Sequence, residues 1–105
     1  MANEVIGSIA AMAALEVDGV TGVDGAAARH KTDFLMRDGA HAGVRVAVDQ
    51  ERSIHLEVFI RVDAGRSIRE VAERVPENVV EAVERMLELS VAEANIVVSG
   101  VSFGG

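Results

Sequence analysis

Val44-Arg45-Val46-Ala47-Val48-Asp49-Gln50-Glu51-Arg52-Ser53-Ile54-His55-Leu56-Glu57-Val58-Phe59-Ile60-Arg61-Val62 is the stretch that decides the fold. Val44, Val46 and Val48 alternate with Arg45, Ala47 and Asp49; Ile54, Leu56, Val58, Ile60 and Val62 alternate with Ser53, His55, Glu57, Phe59 and Arg61. A period of two places successive side chains on opposite faces of a pleated strand. The polar link Asp49–Arg52 joins the runs, so the stretch reads as an antiparallel hairpin with one apolar and one mostly polar face.

A helix follows the hairpin. Ser67-Ile68-Arg69-Glu70 has the form of a capping box. Ile68, Val71, Ala72, Val75, Val79, Ala82, Val83 and Met86 then form one apolar stripe, with glutamates opposite. Glu70–Arg74 and Glu81–Arg85 stand at the i,i+4 spacing of favourable ion pairs. Pro76 interrupts the stripe, and an interior proline costs about 3 kcal/mol through its missing N–H and ring clash, so a kink is expected near Arg74–Pro76. Asn95–Val98 and Val101–Phe103 read as a last strand with a bulge at Gly100.

Upstream, Val5, Ile6, Ile9, Ala10, Ala13 and Ala14 recur at helical spacing behind Asn3, which predicts a helix over Asn3–Leu15. The next stretch carries the turn dipeptides Asp18-Gly19, Asp24-Gly25 and Asp38-Gly39. Within it Val20–Val23 reads as a short strand, and Ala26–Ala42 as an irregular loop with a helical turn around Asp33 to Arg37. The expected fold is α+β, a two-layer sandwich. Two helices pack on one face of a small, mostly antiparallel sheet in the order α-β-β-β-α-β.

Composition narrows the function. The chain has 105 residues, the size of one domain, taken as residues 1–105. Half are apolar, with three Phe and no Trp or Tyr, so the core is aliphatic and base stacking has little to work with. Ten basic against seventeen acidic residues give a formal charge of -7, which opposes nucleic-acid binding and docking on anionic lipid. The uncharged apolar run Val5–Leu15 is about half the length that spans a bilayer, and it lacks a signal peptide's flanks, so no direct membrane insertion is expected. With no Cys there is no disulfide or thiolate chemistry, and a cytoplasmic address fits.

Catalytic motifs are not evident. His30, His41 and His55 lie too far apart in sequence to announce a metal site. The acids and glycines of Glu16–Gly25 do not have calcium-loop spacing, and no phosphate-binding GxxxxGK[ST] string occurs. No serine sits in a nucleophile elbow. The expectation is a protein that is not an enzyme and needs no cofactor and no metal.

The order of features resembles the alkaline shock protein family, also called the Gls-type general stress or envelope stress response family. The strings that carry the resemblance are Ile9-Ala10, Glu16-Val17-Asp18-Gly19-Val20, Gly43-Val44-Arg45-Val46, Ala64-Gly65-Arg66-Ser67-Ile68 with Val71-Ala72, and Ala94-Asn95-Ile96-Val97-Val98 with Gly100-Val101. They span nearly the whole chain. Val75-Pro76 departs from the family pattern, and the charged low-complexity tails of some members are missing. The resemblance implies a cytoplasmic, non-enzymatic stress-response protein of the cell envelope. It would act through protein–protein contact, be held near the membrane by a membrane-anchored partner, and self-associate as a homo-oligomer.

Phe59 stands on the polar face of the hairpin, flanked by Arg45, His55, Glu57 and Arg61. An aromatic ring among charges on an uncovered sheet face has the anatomy of an interface anchor, so these five residues are the candidate interaction surface. The competing arrangement packs Phe59 on neighbouring aliphatic stems or under the Ala26–Ala42 loop. Two other functional classes stay in view: a small α+β nucleic-acid-binding domain, opposed by the charge, the missing GXXG clamp and the missing aromatic pair on a strand, and a small-molecule-binding domain, which would show a deep polar pocket.

Overall fold

A computed structural model of the chain describes residues 3–24, 40–41 and 43–103. Helix α1 (Asn3–Leu15) leads into strand β1 (Val20–Val23), then β2 (Ala40–His41), β3 (Val44–Val48), β4 (Ile54–Asp63), helix α2 (Ile68–Leu87) and β5 (Val91–Ser102). The fold is α+β as expected, with the two-residue β2 as an addition at the end of the segment read as loop. The rest of that segment, including the helical turn expected around Asp33 to Arg37, lies outside the described residues.

Strand β4 is the spine. Antiparallel β3 pairs with it from Val44↔Val58 to Val48↔Ile54, and antiparallel β1 continues along the same edge with Val23↔Ile60 and Val20↔Val62. Strand β2 extends the sheet beyond β3. Along the other edge β5 runs parallel to β4 over its whole length. The parallel pairing follows from the connection, because α2 carries the chain back across the sheet before β5 begins. The register of β5 shifts between Ile60 and Arg61, where Ser99 is the extra residue beside Gly100, which places the expected bulge.

One core lies between the helices and the sheet. Ile6, Ile9 and Ala10 of α1 meet Val44, Val46, Leu56, Val58, Ile60 and Val62 from the sheet and Val71, Val75, Val79 and Val83 from α2. The aliphatic run of β4 and the stripe of α2 therefore face each other as their periods require. Ile68, Met86 and Val5, assigned to the same stripes, are instead exposed. Ile68 and Met86 stand in the terminal turns of α2, and Val5 points to the side of α1 away from the core.

Helix α2 runs from Ile68 to Leu87 as one element with Pro76 inside it, where proline supplies no N–H to the helix ladder. Val75 and Val79, on either side of Pro76, are both 0 % exposed. Burying such side chains contributes about 1.5–3 kcal/mol each, enough to offset the proline and keep both halves in one phase. The Ser67 side chain accepts the Glu70 N–H, Glu88 ends the helix in the left-handed conformation, and Arg85 pairs with Glu81 at 3.0 Å. Asn78 on α2 donates to the Ala13 carbonyl at 2.7 Å, tying the last turn of α1 to the middle of α2.

Candidate functional site

The helices cover one face of the sheet and leave the other to Arg45, Ala47, His55, Glu57, Phe59, Arg61, Glu93, Asn95 and Val97, as the β3–β4–β5 register dictates. All five candidate residues fall on this outer face. Four of them form a network of charge pairs, and the fifth is not where an anchor would be.

Phe59 is 0 % exposed, so the expectation of an exposed aromatic anchor is corrected. The alternation put the ring on the right face and misjudged its cover. Phe59 sits where β1 and β3 meet along β4: its N–H donates to Gly43 O at 3.0 Å and its carbonyl accepts the Asp24 N–H at 2.7 Å. Three chain segments converge there, with Val97 as cross-strand neighbour on the other side.

Around it the charges are fixed by one another. Arg45 Nη1 donates to Glu57 Oε1 at 2.8 Å across the β3–β4 pair. Arg61 Nη1 lies 3.8 Å from Asp24 Oδ2, and Ser99 Oγ stands 3.0 Å from the same oxygen. Gly100 lies opposite Arg61 on β5, and a side chain at that position would collide with the Arg61 guanidinium. Arg61 itself is exposed and is the most accessible cation of the group.

His55 forms the other half of the site. Its Nε2 lies 2.9 Å from Asp49 Oδ2 and its Nδ1 2.8 Å from Glu93 Oε1. A carboxylate accepts only, so both contacts are hydrogen bonds when both ring nitrogens carry protons, that is, in the imidazolium. Asp49 is itself oriented by the N–H groups of Glu51 and Ser53, each 2.9 Å from its Oδ1. The hydrogen bond with Asp49, then that with Glu93, raises the His55 pKa above its ordinary value, while the bond from His55 depresses both carboxylates. The acids approach opposite nitrogens of one ring, so they clamp the ring rather than converge on an ion. Among the described residues no group of three or more His, Asp or Glu is arranged to hold a metal.

The clamp ties the β3–β4 turn to β5, and its pH dependence has a definite sign. A raised histidine pKa adds stability below the ordinary value of about 6.5 and loses it as pH rises through the raised value. The depressed carboxylates add stability above their ordinary values, near 4, and lose it as pH falls through the lowered ones. The thermal midpoint of the parent should therefore exceed that of His55→Gln at about pH 6, with the difference vanishing at about pH 9. A difference that is constant over that range would contradict the ionic clamp.

Sequence reasoning assigned His55 to the surface but missed Asp49 and Glu93 as its partners. The Asp49 contact spans the turn of the hairpin, whereas the Glu93 contact depends on β5 being parallel and in register. Other open depressions exist, one lined by Glu16, Asp18, Arg74, Glu77, Asn78 and Glu81 between the end of α1 and α2, but it is wide and acidic.

The described residues form a small α+β domain with helices on one face of the sheet and a self-paired polar array on the other. The chain belongs to the alkaline shock protein 23 family, whose function is described as cell envelope-related and whose family model matches residues 1–103. Among curated proteins it is similar to YqhY of Bacillus subtilis (strain 168), 36 % identical over 103 residues covering 98 % of this chain and 76 % of that protein. It is also similar to YloU of the same organism, 33 % identical over 106 residues covering 96 % of this chain and 85 % of that protein. Both are described as uncharacterized. Solved structures of MamM CTD share the fold: one aligns with a TM-score of 0.54 at 19 % identity, covering 97 % of this chain and 95 % of that one. Another aligns with a TM-score of 0.55 at 18 % identity, covering 92 % and 96 %.

Proposed function

We propose that this protein is a non-enzymatic, cytoplasmic interaction module of the cell envelope stress response, brought to the membrane by a membrane-anchored protein partner. The observation that carries this reading is the match to an envelope-related family over residues 1–103, in a chain whose described helices are none of them long and apolar enough to cross a membrane. A net charge of -7 disfavours direct adsorption on anionic lipid, which leaves a protein as the link.

The outer sheet face is the proposed docking surface, with Arg45, His55, Glu57 and Arg61 presented on it. Phe59 serves as its buried support instead of its anchor. Charges already oriented by their neighbours lose little side-chain freedom on binding, which favours specific recognition of a polar partner surface. Arg61 is the natural contact for an acidic group on the partner, since its guanidinium is the exposed one.

Sedimentation of membranes from the native cell tests the reading. The tagged parent should pellet with the membranes, and Arg61→Glu should raise the apparent dissociation constant for membranes about tenfold, a loss of roughly 1.4 kcal/mol of binding. Equal recovery of parent and variant would remove the outer face from the proposal.

A further inference from the structure

Helix α2 has two flanks, and α1 packs against only one of them. On that flank Asn78 donates to the Ala13 carbonyl, and Ala82 and Met86 stand beside Ile9 and Met12. The other flank meets the first residues of β5 across a groove that is open among the described residues. Its floor is apolar, built by Pro76 and Val80 of α2 with Val91 and Ala94 of β5, all of them half-buried.

Every charged residue lining this groove is a glutamate. Glu77, Glu81 and Glu84 recur one turn apart along α2, and Glu93 faces them from β5. Glu84 Oε2 accepts the Val91 N–H at 3.0 Å, which fastens the end of α2 to the start of β5 and fixes the groove's shape. Glu81 is paired only with Arg85 on its own helix, an exposed contact that is easily exchanged. Glu77 is exposed, and no ion pair holds it among the described residues. These acids are not arranged to hold a metal ion, so the negative rim awaits a different cation.

We propose that this groove receives a basic segment of another protein, its apolar side chains seated on Pro76, Val80 and Val91 and its lysines or arginines on the glutamate rim. Carboxylates around an apolar strip favour a ligand that carries both chemistries, and the long stems of Lys and Arg cover apolar surface while their heads reach the acids. The same charge disfavours the other occupants: a second copy of a chain at -7, a nucleic acid and an anionic lipid are all repelled by the rim. This is a second surface, distinct from the outer sheet face, and the inference does not rest on the docking proposed there.

The test uses the purified chain without membranes, so its failure leaves the outer-face reading untouched. The probe is a labelled synthetic peptide of alternating leucine and lysine, titrated by fluorescence anisotropy at about 0.1 M salt, where charges are screened beyond about 10 Å. The parent should bind it, and Glu77→Lys and Val80→Ser should each raise the dissociation constant about tenfold. Glu4→Lys makes the same change in net charge in the first turn of α1, and it should alter the constant by less than about twofold. Peptides with serine in place of leucine, or glutamate in place of lysine, should bind at least about tenfold more weakly than the probe. Circular dichroism confirms that each variant is folded like the parent. A chain that does not bind the probe, equal weakening by Glu4→Lys and Glu77→Lys, or full affinity for either control peptide would each overturn the inference.

Discussion

Replacing Val58 with Asp is expected to leave the chain unfolded at room temperature. Val58 is 0 % exposed on the central strand, with Val44 across from it on β3 and Ile96 on β5. Its side chain meets the apolar faces of α1 and α2, where no charged or polar residue is buried among those described. An aspartate there has no cation to pair with and must either stay ionised in an apolar medium or take up a proton at a large cost. A domain of this size is stable by only about 5–15 kcal/mol, and an unpaired buried charge consumes most of that. Val58→Ala is the control. It removes two methyl groups at about 0.8 kcal/mol each plus a small cavity, so it should lower the thermal midpoint and retain the fold. Far-ultraviolet circular dichroism and thermal melts of the two variants check the pair of outcomes. A folded Val58→Asp variant would show that the sheet face facing the helices has been misassigned.

The second large effect is expected at Gly43. Its φ is +86°, where a side chain is strained, and a Cβ there would collide with the Val23 side chain and press on the Asp24 N–H. Left-handed backbone costs a residue with a Cβ about 1–2 kcal/mol, and forced overpacking adds about 1–3 kcal/mol. The Gly43 carbonyl also accepts from Phe59 N–H, so a displaced residue 43 would loosen the junction of β1, β3 and β4. Gly43→Val should therefore destabilise the domain by roughly 2–5 kcal/mol, read as the shift in urea midpoint. Gly22→Ala is a useful comparison, since a Cβ there meets nothing within 4 Å. Equal midpoints for the Gly43 variant and the parent would contradict the tight β1–β3 approach.

Much of this architecture is legible in the residues. The two-residue period of Ile54–Val62, the capping box at Ser67 and the valine stripe of α2 each state a local rule that the packing also obeys, so element type and facing could be read directly. Legibility ends where a contact joins segments distant in sequence. Phe59 obeys the alternation of β4, but the period of a strand places a side chain on a face without saying whether that face is covered, and the ring is buried. The partnership of His55 with Glu93 needs the parallel register of β5, and β5 itself starts at Val91, before the strand-like run Asn95–Val98 that announced it. Pro76 stands inside α2 with valines on both sides held in one core, so burial carries the helix through a residue that disfavours it locally.

The outer sheet face remains as the proposed docking surface, altered in character from an aromatic patch to an array of mutually oriented charges. The proposed docking surface belongs to a member of an envelope-related family, and among the described residues no helix is long and apolar enough to cross a membrane.

The central claim is that a protein, not lipid, connects this chain to the envelope. Flotation of the purified chain with three preparations measures this directly: native membranes, the same membranes after protease shaving, and protein-free vesicles containing anionic lipid. The account predicts that the chain floats with the native membranes alone. Flotation with shaved membranes or with protein-free vesicles to the same extent would contradict it.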